Sequence, residues 1–289
     1  MIRRELKTLA LMLGLVFGSM PVLSPSAMAE NSGLIALKDR GKLLGWEAVG
    51  RLDLGNGFCT AVLIAPDLLL TAAHCLFDAD TRAPRDFSTM TFRAGLRYGR
   101  SIADVRVARG TAHPDYNPVG RKQRGQQIRH DAALLQLVRP IPAQTAAPFA
   151  LHSGRMTGER VSVVSYARGR SGAPSWQKDC GVLGQAQGLI AVDCDVTFGS
   201  SGAPVFMKEN GRARILSLVS AGTTENGKTL AYGMELPALV SDMKARLRAM
   251  PGGANTGTLN TGAKRITIGS GGALNQGSGG AKFVSAGGS

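Results

Sequence analysis

Three short stretches hold residues whose types could cooperate in covalent chemistry. Phe198 to Phe206 reads FGSSGAPVF and sets Ser201 between glycines at 199 and 202. Thr71-Ala72-Ala73-His74-Cys75 places a histidine after an apolar run. His130-Asp131-Ala132-Ala133-Leu134-Leu135-Gln136-Leu137 places an aspartate at the head of another. A serine hydroxyl is a poor nucleophile at its own pKa. It needs an imidazole to take its proton and a carboxylate to hold that imidazole in the right tautomer. The chain carries one of each in the order His, Asp, Ser, which is the order of one of the three unrelated lineages that share this chemistry.

Each stretch alone has a bland reading. Gly-Ser runs make surface turns, a lone histidine is usually structural, and an acid at a strand mouth is often a turn former. Together they constrain one another. An aspartate heading into a core must be paired, and His74 is the group that would pair it. Gly199 adds a physical reason of its own. The backbone N–H groups of Gly199 and Ser201 could point into one cavity and hold the oxyanion of a tetrahedral intermediate, a geometry that a side chain at 199 would obstruct. A bridge between Cys59 and Cys75 would staple the loop carrying His74, although four cysteines (Cys59, Cys75, Cys180 and Cys194) allow three pairings and their spacing does not choose among them.

The elements that must position these groups read as short strands. Val49 to Leu54, Cys59 to Ile64, Leu68 to Ala72, Met90 to Leu96, Asp104 to Ala108 and Ala132 to Val138 form a first set. Val161 to Tyr166, Cys180 to Gln185, Leu189 to Asp193, Pro204 to Met207, Arg214 to Ser220 and Leu230 to Met234 form a second. Asn210-Gly211 and Asn226-Gly227 are turn signals within that second set. Two runs of about six strands predict an all-β protein of two barrels or sandwiches. Pro237 to Met250 carries apolar residues at 239, 240, 243, 247 and 250, one face of a helix opened by a proline.

At 289 residues and 44% apolar, the chain is long enough for a sizeable core, and its formal charge of +14 favours contact with anionic surfaces without naming one. Residues 1–29 read as a signal peptide. Arg3, Arg4 and Lys7 form a basic start, Leu9 to Val22 an apolar stretch too short and too broken to span a bilayer, and Ala27-Met28-Ala29 an A-x-A cleavage site. Export to the periplasm or the outside follows, and with it a preference for bridged cysteines over metal-bound ones. Residues 30–45 read as a lead-in or short propeptide, 46–250 as the catalytic unit (about 46–145, 146–236 and the helix 237–250), and 251–289 as a Gly-rich flexible tail with no acidic residue. Residues 121–129, RKQRGQQIR, are the densest basic run and read as a solvated loop; aromatics for stacking on bases are absent. No metal-ligand spacing and no phosphate loop stand out, so neither a metal nor a cofactor is expected. His152 reads as a loop residue.

LLLTAAHC, HDAALLQL and GSSGAP resemble the three catalytic motifs of the chymotrypsin-like serine peptidases. The resemblance spans roughly Val49 to Met250. It implies two six-stranded antiparallel β-barrels with a C-terminal helix and a site in the cleft between them, where His74 and Asp131 from the first barrel meet Ser201 from the second. It also implies Cys59–Cys75 and Cys180–Cys194 bridges. Ser220, in SLVSAG, matches the family serine beside the triad aspartate, and Gly222 follows it on the substrate strand. His113, in AHPDYNP, resembles a family surface turn.

The departures are informative. The usual family motif is GDSGGP, and its aspartate captures a newly cut N-terminus in the animal digestive enzymes. Here Ser200 stands in that place and Ala203 replaces a glycine, so activation must differ or be absent. These positions, together with Asp193 to Thr197, look closer to the bacterial branch that includes glutamyl endopeptidases. Asp195 lies six residues before Ser201, where an acid selects Arg or Lys in trypsin-like members. Bacterial relatives with other preferences also carry an acid there, so basic and small-or-apolar P1 preferences both stay open. Glutamyl members place a histidine where this chain has Val219, which argues against acidic selection. The reading is an exported serine endopeptidase acting on protein or peptide substrates. Its rival is a catalytically lapsed protease fold that binds an anionic polymer or the cell envelope through basic residues.

Overall fold

The structure is a computed structural model that describes residues 33–119, 124–153, 160–225 and 228–250. The expected signal peptide, the tail 251–289, the Asn226-Gly227 turn and the head of the basic run lie outside the described residues.

The first half carries strand β1 (Leu34–Ala36), helix α1 (Arg40–Leu43) and strands β2 (Val49–Asp53), β3 (Phe58–Ala65), β4 (Leu68–Thr71), β5 (Thr91–Ala94), β6 (Ala103–Ala112) and β7 (Ala133–Leu137), with helix α2 (Arg124–Arg129) before β7. Strands β2 to β7 close into a six-stranded barrel in the order β2-β3-β4-β7-β6-β5. The consecutive leucines of β4 and β7 show why these strands lack a polar face. Leu69 opposes Leu135 and both point into the barrel, while Leu70 opposes Leu134 and both point outward into a second core shared with the other half. Side chains alternate faces along a strand, so two buried faces require an unbroken apolar run.

The second half carries β8 (Arg160–Ala167), β9 (Arg170–Ala186), β10 (Leu189–Val192), β11 (Pro204–Glu209), β12 (Arg212–Leu218), β13 (Ala221–Glu225), β14 (Lys228–Met234) and helix α3 (Pro237–Ala249). Its strands run in the order β12-β11-β8-β9-β10-β14-β13, with β1 added on β9. The sheet curls back on itself where Gly233 of β14 lies against Leu218 of β12, and Ser217 Oγ donates to Met234 O at 2.8 Å. Six of these strands, β8 to β12 and β14, make the second barrel of a chymotrypsin-like fold; β1 and β13 are additions to the expected count. Asn210 and Gly211 both have positive φ and turn β11 into β12, as their types require.

Residues 33–45, read above as a lead-in, pack into the folded unit. β1 pairs with β9 from Leu34↔Gln177 to Ala36↔Ser175, and Leu37 and Leu43 are buried. The stretch 124–129, read as part of a solvated loop, forms α2 with Ile128 buried. Helix α3 buries Val240, Met243 and Leu247 in the shared core alongside Leu70, Leu134 and Phe206.

Candidate active site

β4 ends at Thr71 and runs into a 3-10 turn, Ala73–Leu76, that carries His74. Cys75, the next residue, is bridged to Cys59 on β3, so the turn is covalently fastened to the barrel wall. Asp131 sits just ahead of β7, the neighbour of β4, and is almost wholly buried. Its Oδ1 accepts the His74 backbone N–H at 2.8 Å, and its Oδ2 lies 2.7 Å from His74 Nδ1. Ser220 Oγ, from the second half, donates to the same Oδ2 at 2.5 Å. A buried carboxylate is thus satisfied by three donors, two of which fix one histidine.

The electrostatics follow. Burial pulls the His74 pKa down and is the largest single influence. The charge of Asp131 and its hydrogen bond together outweigh burial and the smaller repulsion from Arg82, so the ring titrates above the ordinary histidine value.

Ser201 follows β10 on a tight loop. Gly199 has φ +95° and lies against the Phe58 ring and Ala167, leaving no space for a Cβ. Gly202 has φ +75°, and a Cβ there would collide with Thr71, Thr60 and Ala72. The loop therefore rests directly on the end of the strand pair that presents His74. Thr60, which is fully buried, ties it down. Its N–H donates to Ser201 O at 2.9 Å, its hydroxyl donates to Gly199 O at 2.9 Å, and the same oxygen accepts Tyr166 N–H at 3.0 Å. Thr71 Oγ1 in turn donates to Thr60 O at 2.8 Å. Among the described residues no hydrogen bond joins Ser201 Oγ to the His74 ring.

The β8–β9 hairpin orients the loop from the other side. Phe198 O accepts the Arg168 N–H at 2.7 Å. The peptide is planar and trans, so the Gly199 N–H points the opposite way, away from the hairpin. Among the described residues neither the Gly199 nor the Ser201 N–H donates to a protein acceptor. Two unpaired amides on one loop are what an incoming oxygen anion requires.

Residues 59–213, more than half of the chain, match the trypsin-like peptidase domain. The chain belongs to the trypsin-like peptidase family. A stretch of 108 residues, 37% of the chain, is 34% identical to human serine protease 56, and 111 residues, 38% of the chain, are 33% identical to the mouse protein. These matches span only 16% and 17% of the length of those two relatives. Among solved structures, a Glu endopeptidase in complex with MPD shares the fold at a TM-score of 0.60 and 16% identity, over 75% of this chain and 97% of that one.

Against that family pattern, the neutral Ser200 is held in an unexpected way. It is fully buried, exchanges hydrogen bonds with Thr197, and its hydroxyl lies 3.4 Å from Ser165 Oγ and from a guanidinium nitrogen of Arg170. Arg170 also donates to Ser165 O at 2.8 Å and to Ser165 Oγ at 3.1 Å. A cation from within the chain therefore stands beneath the Ser201 loop. Burial lowers its pKa, and the charge of Asp195 opposes that.

The remaining expected pocket residues separate. Gly222 crosses close over Val196, where an added Cβ would lie 3.0 Å from Cγ2, so β13 and the segment 195–196 face each other as two walls. Asp195 is anchored by its N–H to Gln177 Oε1 at 2.7 Å. The Val219 side chain is buried among Val196, Ala203 and Val205, and the residue meets the loop through its main chain, accepting Gly202 N–H at 2.7 Å. Cys180 and Cys194 are bridged beside this region. Sequence reasoning missed Thr60, Thr71 and Arg170. TAVL, LLLT and YARGR carry no local sign of these contacts, which join Thr60 to Gly199 across 139 residues, Thr71 to Thr60 across 11 and Arg170 to Ser200 across 30.

Proposed function

We propose that this chain is an exported serine endopeptidase that cleaves peptide bonds through a covalent acyl-enzyme. Ser201 Oγ attacks the substrate carbonyl carbon while His74 Nε2 takes its proton. The oxygen anion that forms is held by the N–H groups of Gly199 and Ser201. His74 then gives the proton to the departing amine; water, deprotonated by the same ring, attacks the acyl carbon, and the ring returns that proton to Ser201 Oγ as the ester bond breaks. Asp131 fixes the tautomer and stabilises the charged imidazole. The observation that carries this reading is the bidentate hold of Asp131 on His74, through backbone and ring together, beside a loop whose two amides stay free.

The two disulfides support an oxidising compartment, periplasmic or extracellular.

The test is labelling of the purified chain with a fluorophosphonate probe beside Ser201→Ala. Labelling and peptide hydrolysis by the wild type alone are expected. Equal labelling of both proteins refutes the assignment of Ser201. Strong, salt-sensitive binding to an anionic polymer with no hydrolysis would replace the enzyme with a binding protein.

A further inference from the structure

On the first barrel, outside the nucleophile loop, three side chains of metal-ligand type converge. His113 follows β6, and His130 precedes Asp131. Their rings stack with centroids 5.0 Å apart and planes 10° from parallel. Asp115 Oδ2 lies 3.9 Å from His130 Nε2. One ligand atom from each of His113, Asp115 and His130 lies within 4.8 Å of the other two. His113 and Asp115 open onto a depression of about 600 Å³ whose far wall is α3, with Asp242 and Arg246. A second convergence, Cys59, His74 and Cys75, is closed to metals because its sulfurs are joined in a disulfide.

We propose that His113, Asp115 and His130 form a site for a divalent transition-metal ion of the zinc class, with water or Asp242 completing a tetrahedron. Imidazole and carboxylate ligands bind zinc at about 2.0–2.2 Å, so ligand atoms in a tetrahedron stand about 3.3 Å apart. The three groups must close by no more than about 1.5 Å from their present spacing to reach that geometry. The two groups that must move are at the surface, with 28% of the His130 side chain and 69% of Asp115 exposed, while His113 is buried and fixed. Each ring's lone pair lies in its own plane, so the stack is the empty arrangement, and the His130 ring turns on binding. Two nitrogens and one carboxylate favour zinc-class ions over magnesium or calcium, which prefer all-oxygen sites.

The experiment is a calorimetric zinc titration of untagged Ser201→Ala chain, with cobalt(II) absorption as a reporter of tetrahedral geometry. It reads binding alone, so its outcome is separate from that of the proposed peptidase activity. One ion per chain is expected, bound at least about tenfold more weakly after His130→Gln and after Asp115→Asn, and unchanged after His74→Ala. No saturable binding, binding indifferent to His130→Gln, or binding lost with His74→Ala would each overturn the site.

Discussion

The hydroxyl of Thr60 donates to the carbonyl of Gly199 at 2.9 Å, so a strand of the first barrel holds the backbone of the Ser201 loop in the second half. Thr60→Val keeps the shape and removes the hydroxyl, leaving Gly199 O and Tyr166 N–H without their buried partner. A buried polar group stranded in this way costs about 1–3 kcal/mol. Urea denaturation should show a loss of that size, and kcat should fall more than KM rises because the loop carries the proposed oxyanion donors.

The pH dependence follows from the raised pKa of His74. A general base must be neutral to act, so kcat/KM should rise with pH through a midpoint above 6.5. Asp131→Asn leaves burial without its opponent, so the midpoint should move below 6.5, with turnover lowered by on the order of 10⁴-fold. The stability linkage has the opposite sense. A raised folded-state pKa gives stability that is complete below the unfolded value of 6.5 and is lost as pH rises through the folded value. The stability advantage of wild type over Asp131→Asn should therefore be larger at about pH 6 than at about pH 9.

Arg170 is expected to position the loop without touching substrate. Arg170→Met should lower kcat by about tenfold, roughly 1.4 kcal/mol, with a smaller change in KM, and Arg170→Lys should restore part of the loss. An equal fall in thermal stability for both variants, with kcat unchanged, would mark the residue as merely structural.

The Cys59–Cys75 bridge closes a loop spanning 16 residues. Loops of this size are worth about 3 kcal/mol when cross-linked. Replacing both cysteines with alanine should lower the Tm measurably and reduce the fluorophosphonate labelling rate, since His74 is adjacent to Cys75.

What was legible in the sequence was local. The leucines of 68–70 and 134–135 gave β4 and β7, and His74 and Asp131 stand at their mouths, so their proximity could be anticipated without the fold. Pro237 and the spacing of Val240, Met243 and Leu247 gave α3 in full. The unreadable parts depended on distant partners. β1 is three residues long and exists because β9 offers an edge. β9 runs from Arg170 to Ala186, yet Gly172 and Pro174 broke its pattern, and only Cys180 to Gln185 read as strand. β13 joins by pairing with β14, and its AGTTE sequence shows little periodicity. Arg170 carries no mark in the sequence, and only the fold sets it against Ser165 of β8 and Ser200 of the Ser201 loop. His113 and His130 belong to separate motifs, and β6 and β7 bring them together.

Helix α3, the last described element, completes a core that begins with Leu37 and Leu43, and Arg109 on β6 reaches Met250 O at the helix end. The cover over Leu70 and Leu134, outer leucines of the first barrel, is therefore complete only once α3 has been added. Contacts between chain segments this far apart slow the search for the native state. Folding of this protein should be a late, all-at-once event, with neither half stable while the other is still being made.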